Sequence, residues 1–413
     1  MDKQRYDVLI VGGSHAGCEA AFRLRQGGFS GSIGLLSAEP YLPYHRPPLS
    51  KAFLAGEATI NSLLLRSEEA FEKAKIDWLP DTFVASIDRV DHFLNLANGG
   101  QLSYGKLILA TGGRPRALAL PGCELAGIHM LRSLADAQRL QPEFLSGKRL
   151  VIIGAGYIGL EVAAVAIKHG LTVENVEFAP RVLARVAGAE LSSFYEAMHK
   201  KAGVIFHLNT GVEGFVSAPH DASKVGFVRC TGGKDLPADL VLVAAGLVPN
   251  SELAKEAGLK TSNGIVVDEY CCTSDPDVFA IGDVAEFPLP FWGGQHVRLE
   301  SVPNAMEHAR IVASVLNGNP SIYNVVPWFW SDQYAHKLQS VGLSQGYDAA
   351  IVRSPKNPEG FVVFYTKEGR IIAADCVSSI AEFNIAKKLV AEKIVVDPKA
   401  LADTEIDLKS LLQ

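Results

Sequence analysis

The sequence predicts an α/β protein made of two doubly wound parallel-sheet units and a smaller C-terminal α+β domain. Three observations carry this. An apolar run, a loop of spaced small residues and a helical stretch follow one another twice, from residue 8 and again from residue 150. That order is the opening of a βαβ unit. After about residue 321 the pattern changes to short alternating segments, which read as strands at 338–343, 349–353, 360–365 and 370–376 and a closing helix over 382–392. A chain of 413 residues has room for two to three domains.

The first unit begins with VLIVGGSHAG at residues 8–17. Val8 to Val11 fit a strand buried on both faces. Gly12, Ser14 and Gly17 occupy the three spaced positions of a G-x-G-x-x-G loop, and residues 18–26 have helical character. Such a loop sets a helix N-terminus under a pyrophosphate. Ser14 stands where the middle glycine is usual; its Cβ pushes the backbone off the phosphate while its hydroxyl offers a donor. A tight strand–helix turn without a ligand is the plainer alternative. The next strand, 32–37, leads to Glu39, which is placed to accept hydrogen bonds from an adenosine ribose. A solvated turn carboxylate would explain Glu39 as well. Residues 41–51 (YLPYHRPPLSK) hold three prolines within six residues, which fix an extended segment bearing Arg46 and Lys51.

A helix is expected over 68–75 and a hairpin over 83–96, with Asn98-Gly99-Gly100 turning the chain into a strand at 106–113. This strand ends in Ala110-Thr111-Gly112, and the chain leaves the first unit near Pro121-Gly122. In the second unit Gly154, Gly156 and Gly159 complete G-x-G-x-x-G within LVIIGAGYIGLE, with Tyr157 and Ile158 opening the helix. Glu177 lies eighteen residues past Gly159, where a carboxylate binds the 2′-hydroxyl of NAD and repels a 2′-phosphate. Arg181 is near enough in sequence to soften that rejection. A helix over 190–201, strands within 203–228 and a buried strand at 239–246 follow. Short strands at 264–268 and 278–281 return the chain to the first unit. Asp283 follows the second of them, at the carboxyl edge of a parallel sheet where ligands bind. Pro303 sits in the first turn of a helix running to about residue 316, whose dipole favours negative charge at its start. The domains are therefore expected at 1–117 with 246–320, at 118–245, and at 321–413. Trp328 reads as a core anchor and Trp330 as either core or an aromatic beside a cofactor.

The net charge of −6 argues against a nucleic-acid or anionic-membrane partner. Residues 1–7 lead into an apolar run too short for a signal peptide, and no transmembrane segment is apparent. The six cysteines form no C-x-x-C, so neither a redox disulfide nor a zinc site is indicated. They read as reduced thiols of a cytoplasmic protein, with the adjacent Cys271 and Cys272 expected in a strand.

Two dinucleotide units imply two nucleotides, a flavin and a nicotinamide being the economical pair. The segments RPPLSK at 46–51, ATGGRPR at 110–116, GAGYIGLE at 154–161, AIGDVA at 280–285, ESVPNA at 300–305 and FWSDQY at 329–334 resemble one family. It is that of the FAD-dependent NADH:ferredoxin reductases serving P450s and ring-hydroxylating dioxygenases. The resemblance covers nearly the whole chain and implies a glutathione-reductase-like fold: an FAD domain, an inserted NAD domain and a C-terminal interface domain. It implies FAD on Gly12, Ser14, Gly17, Glu39, Arg46, Lys51, Ala110, Thr111, Gly112, Asp283, Pro303 and Trp330. It implies NADH on Gly154, Gly156, Tyr157, Ile158, Gly159 and Glu177. Lys51 and Glu161 are implied as a buried catalytic pair near flavin N5, with no metal required. The implied partner is a small acidic [2Fe–2S] ferredoxin feeding a P450 or dioxygenase. Arg46, Arg114, Arg116, Arg298 and Arg310 are expected to form a basic rim that steers it. Two alternatives stand beside this reading. A flavin-dependent NADH oxidase or disulfide reductase needs a redox cysteine near the flavin, and the first domain offers only Cys18 ahead of its crossover. A redox-sensing flavoprotein like apoptosis-inducing factor would be expected to carry a long C-terminal insertion or basic tract.

Overall fold

The computed structural model describes residues 4–354 and 360–412. Residues 1–3 of the charged N-terminal stretch therefore lie outside the described part. The chain divides into two compact units. One contains residues 1–45, 60–114 and 248–325, and the other residues 46–59, 115–247 and 326–413.

The first unit is organised on a seven-stranded sheet. Its central strand Gln4–Val11 runs parallel to Ile33–Leu36 on one side and to Gln101–Leu109 on the other. Val8, Leu9 and Ile10 are fully buried, as an uninterrupted apolar run requires when helices cover both faces. Ile76–Leu79 extends the sheet beyond Ile33–Leu36, and Val278–Ala280 pairs in parallel with the last residues of Gln101–Leu109. The hairpin of Val84–Asp88 and Phe93–Leu96 adds antiparallel strands at the far edge. The registers bring four strand ends to one line. Gly12 N–H donates to Leu36 O, Ala110 N–H to Val11 O, and Ile281 N–H to Leu109 O. Gly12, Ser37, Ala110 and Gly282 thus lie along the carboxyl edge of this sheet. The helix His15–Gln26 leaves that edge and packs on the helix Val302–Leu316.

The second unit repeats the plan. Arg149–Ile153 lies between Thr172–Val176 and Leu240–Val243, all parallel, with Ile205–His207 and Ile128–His129 outermost. Gly154 N–H donates to Val176 O and Ala244 N–H to Ile153 O, which reproduces the aligned edge of the first sheet. Three antiparallel strands, Val212–Ala218, Asp221–Cys230 and Lys234–Pro237, cover one face through a core of Val151, Ile153, Val176, Phe215, Val225 and Val228.

Five antiparallel strands form a further sheet in the order Trp328–Gln333, His336–Gly342, Arg370–Val377, Phe361–Lys367, Ala349–Arg353. The helix Ile380–Ala391 closes it. Leu338 and Val377 of this sheet share a buried cluster with Leu160, Val182, Leu191 and Tyr195, so it is continuous with the preceding part of the same unit.

Two local expectations are corrected. Cys271 and Cys272 are not in a strand. The Asp268 carboxylate accepts the amides of Tyr270 and Cys272, and this turn holds Cys271 at φ +62. A residue locked by a side-chain turn leaves the extended region. Trp328 is not a buried anchor either. It is only partly buried, stacks obliquely on Trp330 at 5.6 Å and carries the Lys387 ammonium 5.3 Å from its ring. Trp328 and Trp330 alternate with Phe329 on one strand, so the two indoles share a face and Phe329 takes the other.

Candidate functional site

The two glycine loops separate what the protein needs from what a ligand needs. Gly12 has φ +123, and a Cβ there would lie 2.1 Å from Ala110 O. A Cβ on Gly17 would lie 2.1 Å from Gly12 O. The second loop gives the same answer at Gly154, at φ +105 and 2.5 Å from Ala244 O, and at Gly159, 2.2 Å from Gly154 O. These four glycines are demanded by strand–loop–helix packing. Gly156 is different: a Cβ there would meet nothing within 4 Å, and its φ of −79 suits any residue. No protein atom requires a glycine at 156, so the free space is what a close-lying ligand would use. It lies at the N-terminus of the helix Tyr157–Lys168, where the first amides have no helical acceptor. The residues present fit a dinucleotide pyrophosphate.

Ser14 holds the corresponding place in the first loop, at the N-cap of His15–Gln26 with φ −121. That extended backbone accepts a side chain without strain, so the departure from glycine costs the loop nothing. Trp78 closes over the neighbouring Gly13, whose Cβ would fall 2.6 Å from the indole. Along the same edge Glu39 accepts the Tyr44 hydroxyl at 2.5 Å. Thr111 donates to Asn250 O and the Asn250 amide returns a bond to Thr111 O, which pins the Ala110-Thr111-Gly112 turn. Asp283 follows Gly282, whose φ of +73 and contact with the His308 ring nitrogen set the turn. Ser301 caps Val302–Leu316 by accepting the Asn304 amide, with Pro303 in the first turn as expected.

In the second unit Glu177 ends the strand beside Gly154. One carboxylate oxygen accepts Ala155 N–H at 2.7 Å and the other accepts Ala179 N–H at 2.8 Å. The acid is thereby fixed against the glycine loop. Phe178, next in the chain, is 83% exposed at the same edge. Arg181 is engaged elsewhere; its guanidinium donates to Ala187 O, Gly188 O, Ala184 O and Ser192 Oγ. Tyr157 leans on Phe329 with ring centroids 4.6 Å apart, and burial raises its phenol well above the ordinary range. Ile158 is exposed beside it.

Lys51 and Glu161 meet. Lys51 Nζ lies 2.7 Å from Glu161 Oε2, the lysine side chain 21% and the glutamate 5% exposed. The Pro47–Ser50 turn delivers Lys51, and the helix Tyr157–Lys168 presents Glu161 from its second turn. Ser50 Oγ–H donates to Glu161 Oε2 at 2.6 Å, and Ser331 Oγ–H donates to Glu161 Oε1 at 2.6 Å. Both hydroxyls escaped the reading of the sequence, although each sits inside a motif quoted above, RPPLSK or FWSDQY. Arg46 donates to Arg132 O.

Three of the five arginines expected in a basic rim are paired with acids, while Arg116 is exposed. Arg114 pairs with Glu252 and Arg310 is bidentate to Glu307. Arg298, only 8% exposed, pairs with Glu300. All six cysteines are free thiols. Burial pushes Cys18 up to about 12 and Cys272 to about 11, so neither is a ready thiolate.

Residues 6–309 match the pattern of the pyridine nucleotide-disulphide oxidoreductases, and residues 328–412 that of a reductase C-terminal domain. The chain belongs to the pyridine nucleotide-disulphide oxidoreductase family. Among members of this family, putidaredoxin reductase CamA of Pseudomonas putida is 44% identical over 98% of this chain and 96% of its own. The 5,5'-dehydrodivanillate O-demethylase ferredoxin reductase subunit of Sphingobium sp. is 42% identical over 98% of each chain. The crystal structure of a covalent putidaredoxin reductase–putidaredoxin complex superposes with a TM-score of 0.95 at 44% identity, covering 99% of this chain and 98% of that one. The glutathione-reductase-like α/β fold expected from the sequence is the fold of this family. Among the described residues no helix is long and apolar enough to cross a membrane.

Proposed function

We propose that the protein is an NADH-dependent ferredoxin reductase, a flavoprotein that takes hydride from NADH onto FAD and passes single electrons to a small [2Fe–2S] ferredoxin feeding a P450 or a ring-hydroxylating dioxygenase. Full-length similarity to reductases of such systems supports the reaction. The observation in the fold that carries it is the pair of aligned glycine-loop edges, one for each dinucleotide.

Residues 1–117 with 246–320 form the FAD-binding part, 118–245 the NAD-binding part and 321–413 the interface part. FAD is held by Gly12, Ser14, Gly17, Glu39, Ala110, Thr111, Gly112, Asp283 and Pro303, with Arg46, Lys51 and Trp330 assigned to it on the family's pattern. NADH is held by Gly154, Gly156, Tyr157, Ile158, Gly159 and Glu177. Bound flavin supplies the exchange between a two-electron donor and a one-electron acceptor. The protein's own task is placement. Helix N-termini and loop amides hold the pyrophosphates. Glu177 selects the unphosphorylated ribose, and Phe178 offers an apolar face to the adenine. Lys51 and Glu161 keep an oriented, nearly neutral ion pair at the hydride-transfer site, so no side chain has to act as acid or base. The six unpaired cysteines agree with a cytoplasmic location. Steady NADH-driven turnover with added ferredoxin tests the reading; reduction of a disulfide or of oxygen at an equal rate would replace it.

A further inference from the structure

Glu161 is the end of a longer chain of hydrogen bonds than the ion pair needs. Ser331 Oγ–H donates to Glu161 Oε1 at 2.6 Å. The Gln333 side-chain amide donates to Ser331 Oγ at 3.3 Å. Gln333 Oε1 faces His199 Nε2 at 2.9 Å, and His199 Nδ1 faces the Tyr334 hydroxyl at 3.2 Å. Ser331, Gln333 and His199 are all buried, whereas Tyr334 is 40% exposed. The chain therefore runs from the Lys51–Glu161 pair to an exposed phenol through the strand Trp328–Gln333 and the helix Ala189–Ala202.

The donors have only one consistent order. A serine hydroxyl carries one proton, and a carboxylate can only accept. Ser331 therefore spends its proton on Glu161, and its oxygen must accept from Gln333. That turns Gln333 Oε1 toward His199 and requires the proton of the imidazole on Nε2. His199 Nδ1 is then left to accept from Tyr334. Every donor points toward Glu161. Burial lowers the His199 pKa to about 4, so the ring is neutral at physiological pH and exists as one tautomer or the other. The amide of Gln333 passes polarity but not protons, since relaying a proton would require its high-energy imidic form. The chain orients charge and is not a proton wire.

We propose that Ser331, Gln333 and His199 are positioning residues that form a polarised relay, holding the Glu161 carboxylate aimed at Lys51 and tying its charge to the tautomer of His199. The relay rests on the proposed function only in placing the Lys51–Glu161 pair at the flavin. Bonds that polarise one another in a dry interior strengthen together. Replacing the carboxylate with an amide at Glu161 supplies a donor at that end. Ser331 can then donate to Gln333, whose amide flips, and His199 takes the Nδ1–H form.

The test is nitrogen NMR of the purified FAD-loaded protein labelled on histidine with ¹⁵N. His199 is assigned by its loss in His199→Asn. The wild-type protein should show His199 as the Nε2–H tautomer. Glu161→Gln should convert it to the Nδ1–H tautomer or to a mixture. Should Glu161→Gln not fold, Ser331→Ala removes the acceptor of Gln333 one link away and is read in the same manner. A second readout is the flavin midpoint potential. Gln333→Leu should shift it while FAD content and melting temperature stay within a few degrees of wild type. An Nδ1–H tautomer in the wild type overturns the proposal. So does an Nε2–H tautomer unchanged in both variants, or an unaltered potential in Gln333→Leu. None of these readouts requires a ferredoxin, so they can fail while the proposed function stands.

Discussion

Replacing Gly156 with alanine separates a ligand's demand for glycine from the fold's. The added methyl meets no protein atom within 4 Å, and the backbone at φ −79 and ψ −178 is open to any residue. The residue is the N-cap of its helix, where alanine is poorer than glycine. The expected cost to stability is therefore about 0.5 kcal/mol, a degree or two of melting temperature in a chain of this size. A methyl in the seat of a pyrophosphate acts differently. Overpacking a close contact costs roughly 1–3 kcal/mol, and about 1.4 kcal/mol is tenfold in affinity. The dissociation constant for NADH should thus rise roughly tenfold to a hundredfold. Gly159→Ala is the counter-case, because its methyl would lie 2.2 Å from Gly154 O and the helix must shift away from its strand. It should lose stability first. Stopped-flow flavin reduction against NADH concentration gives the binding constant, and thermal melting of the FAD-loaded enzyme gives the stability. If Gly156→Ala binds NADH within about twofold of wild type, the pyrophosphate does not lie there and the reasoning fails. A melting loss as large as that of Gly159→Ala would refute it equally.

Three further outcomes are expected. Lys51→Ala leaves the Glu161 carboxylate buried without its cation; breaking such a pair costs roughly 3–5 kcal/mol when fully buried and less here, where the lysine is 21% exposed. NADH-driven flavin reduction should slow while the fold is kept, and wild-type stopped-flow rates would make Lys51 a bystander. Glu177→Ala should narrow the preference for NADH over NADPH, because Arg181 is engaged elsewhere and supplies no replacement for a 2′-phosphate; an unchanged kcat/KM ratio would remove Glu177 from the specificity. His199 sits near 4 in the folded protein because burial disfavours its charge, so its stabilising contribution is complete above the ordinary histidine value and is lost as pH falls from about 6.5 toward 4. By pH 5 that loss amounts to about 2 kcal/mol, and the drop in melting temperature between pH 7 and pH 5 should be smaller in His199→Asn than in wild type.

The fold was legible where one signal dominates. The runs at Val8–Val11 and Leu150–Ile153 had to be buried strands, and glycine loops followed both, so the two aligned sheet edges could be drawn from the letters alone. The position of Glu177 against the second glycine loop was legible for the same reason, since it is counted from a glycine. Arg181 and three arginines of the supposed rim, Arg114, Arg298 and Arg310, were misjudged because sequence shows a charge but not its partner. Arg310 meets Glu307 one helical turn away, which the spacing allowed to be foreseen, but Arg181 is consumed by backbone carbonyls that only the folded loop assembles. Cys271 and Cys272 were misplaced because the Asp268 turn overrode a local pattern that resembled a strand. The serines on Glu161 were invisible as partners: Ser50 and Ser331 are far apart in the chain, and nothing in a sequence says that two hydroxyls converge on one carboxylate.

The most direct test of the whole account is NADH-dependent cytochrome c reduction by the purified flavoprotein, with and without a [2Fe–2S] ferredoxin, beside oxygen and a small disulfide as competing acceptors. The account predicts a slow basal rate that ferredoxin raises many-fold, with little reduction of oxygen or disulfide. A disulfide or oxygen reduced as fast as any ferredoxin would contradict it.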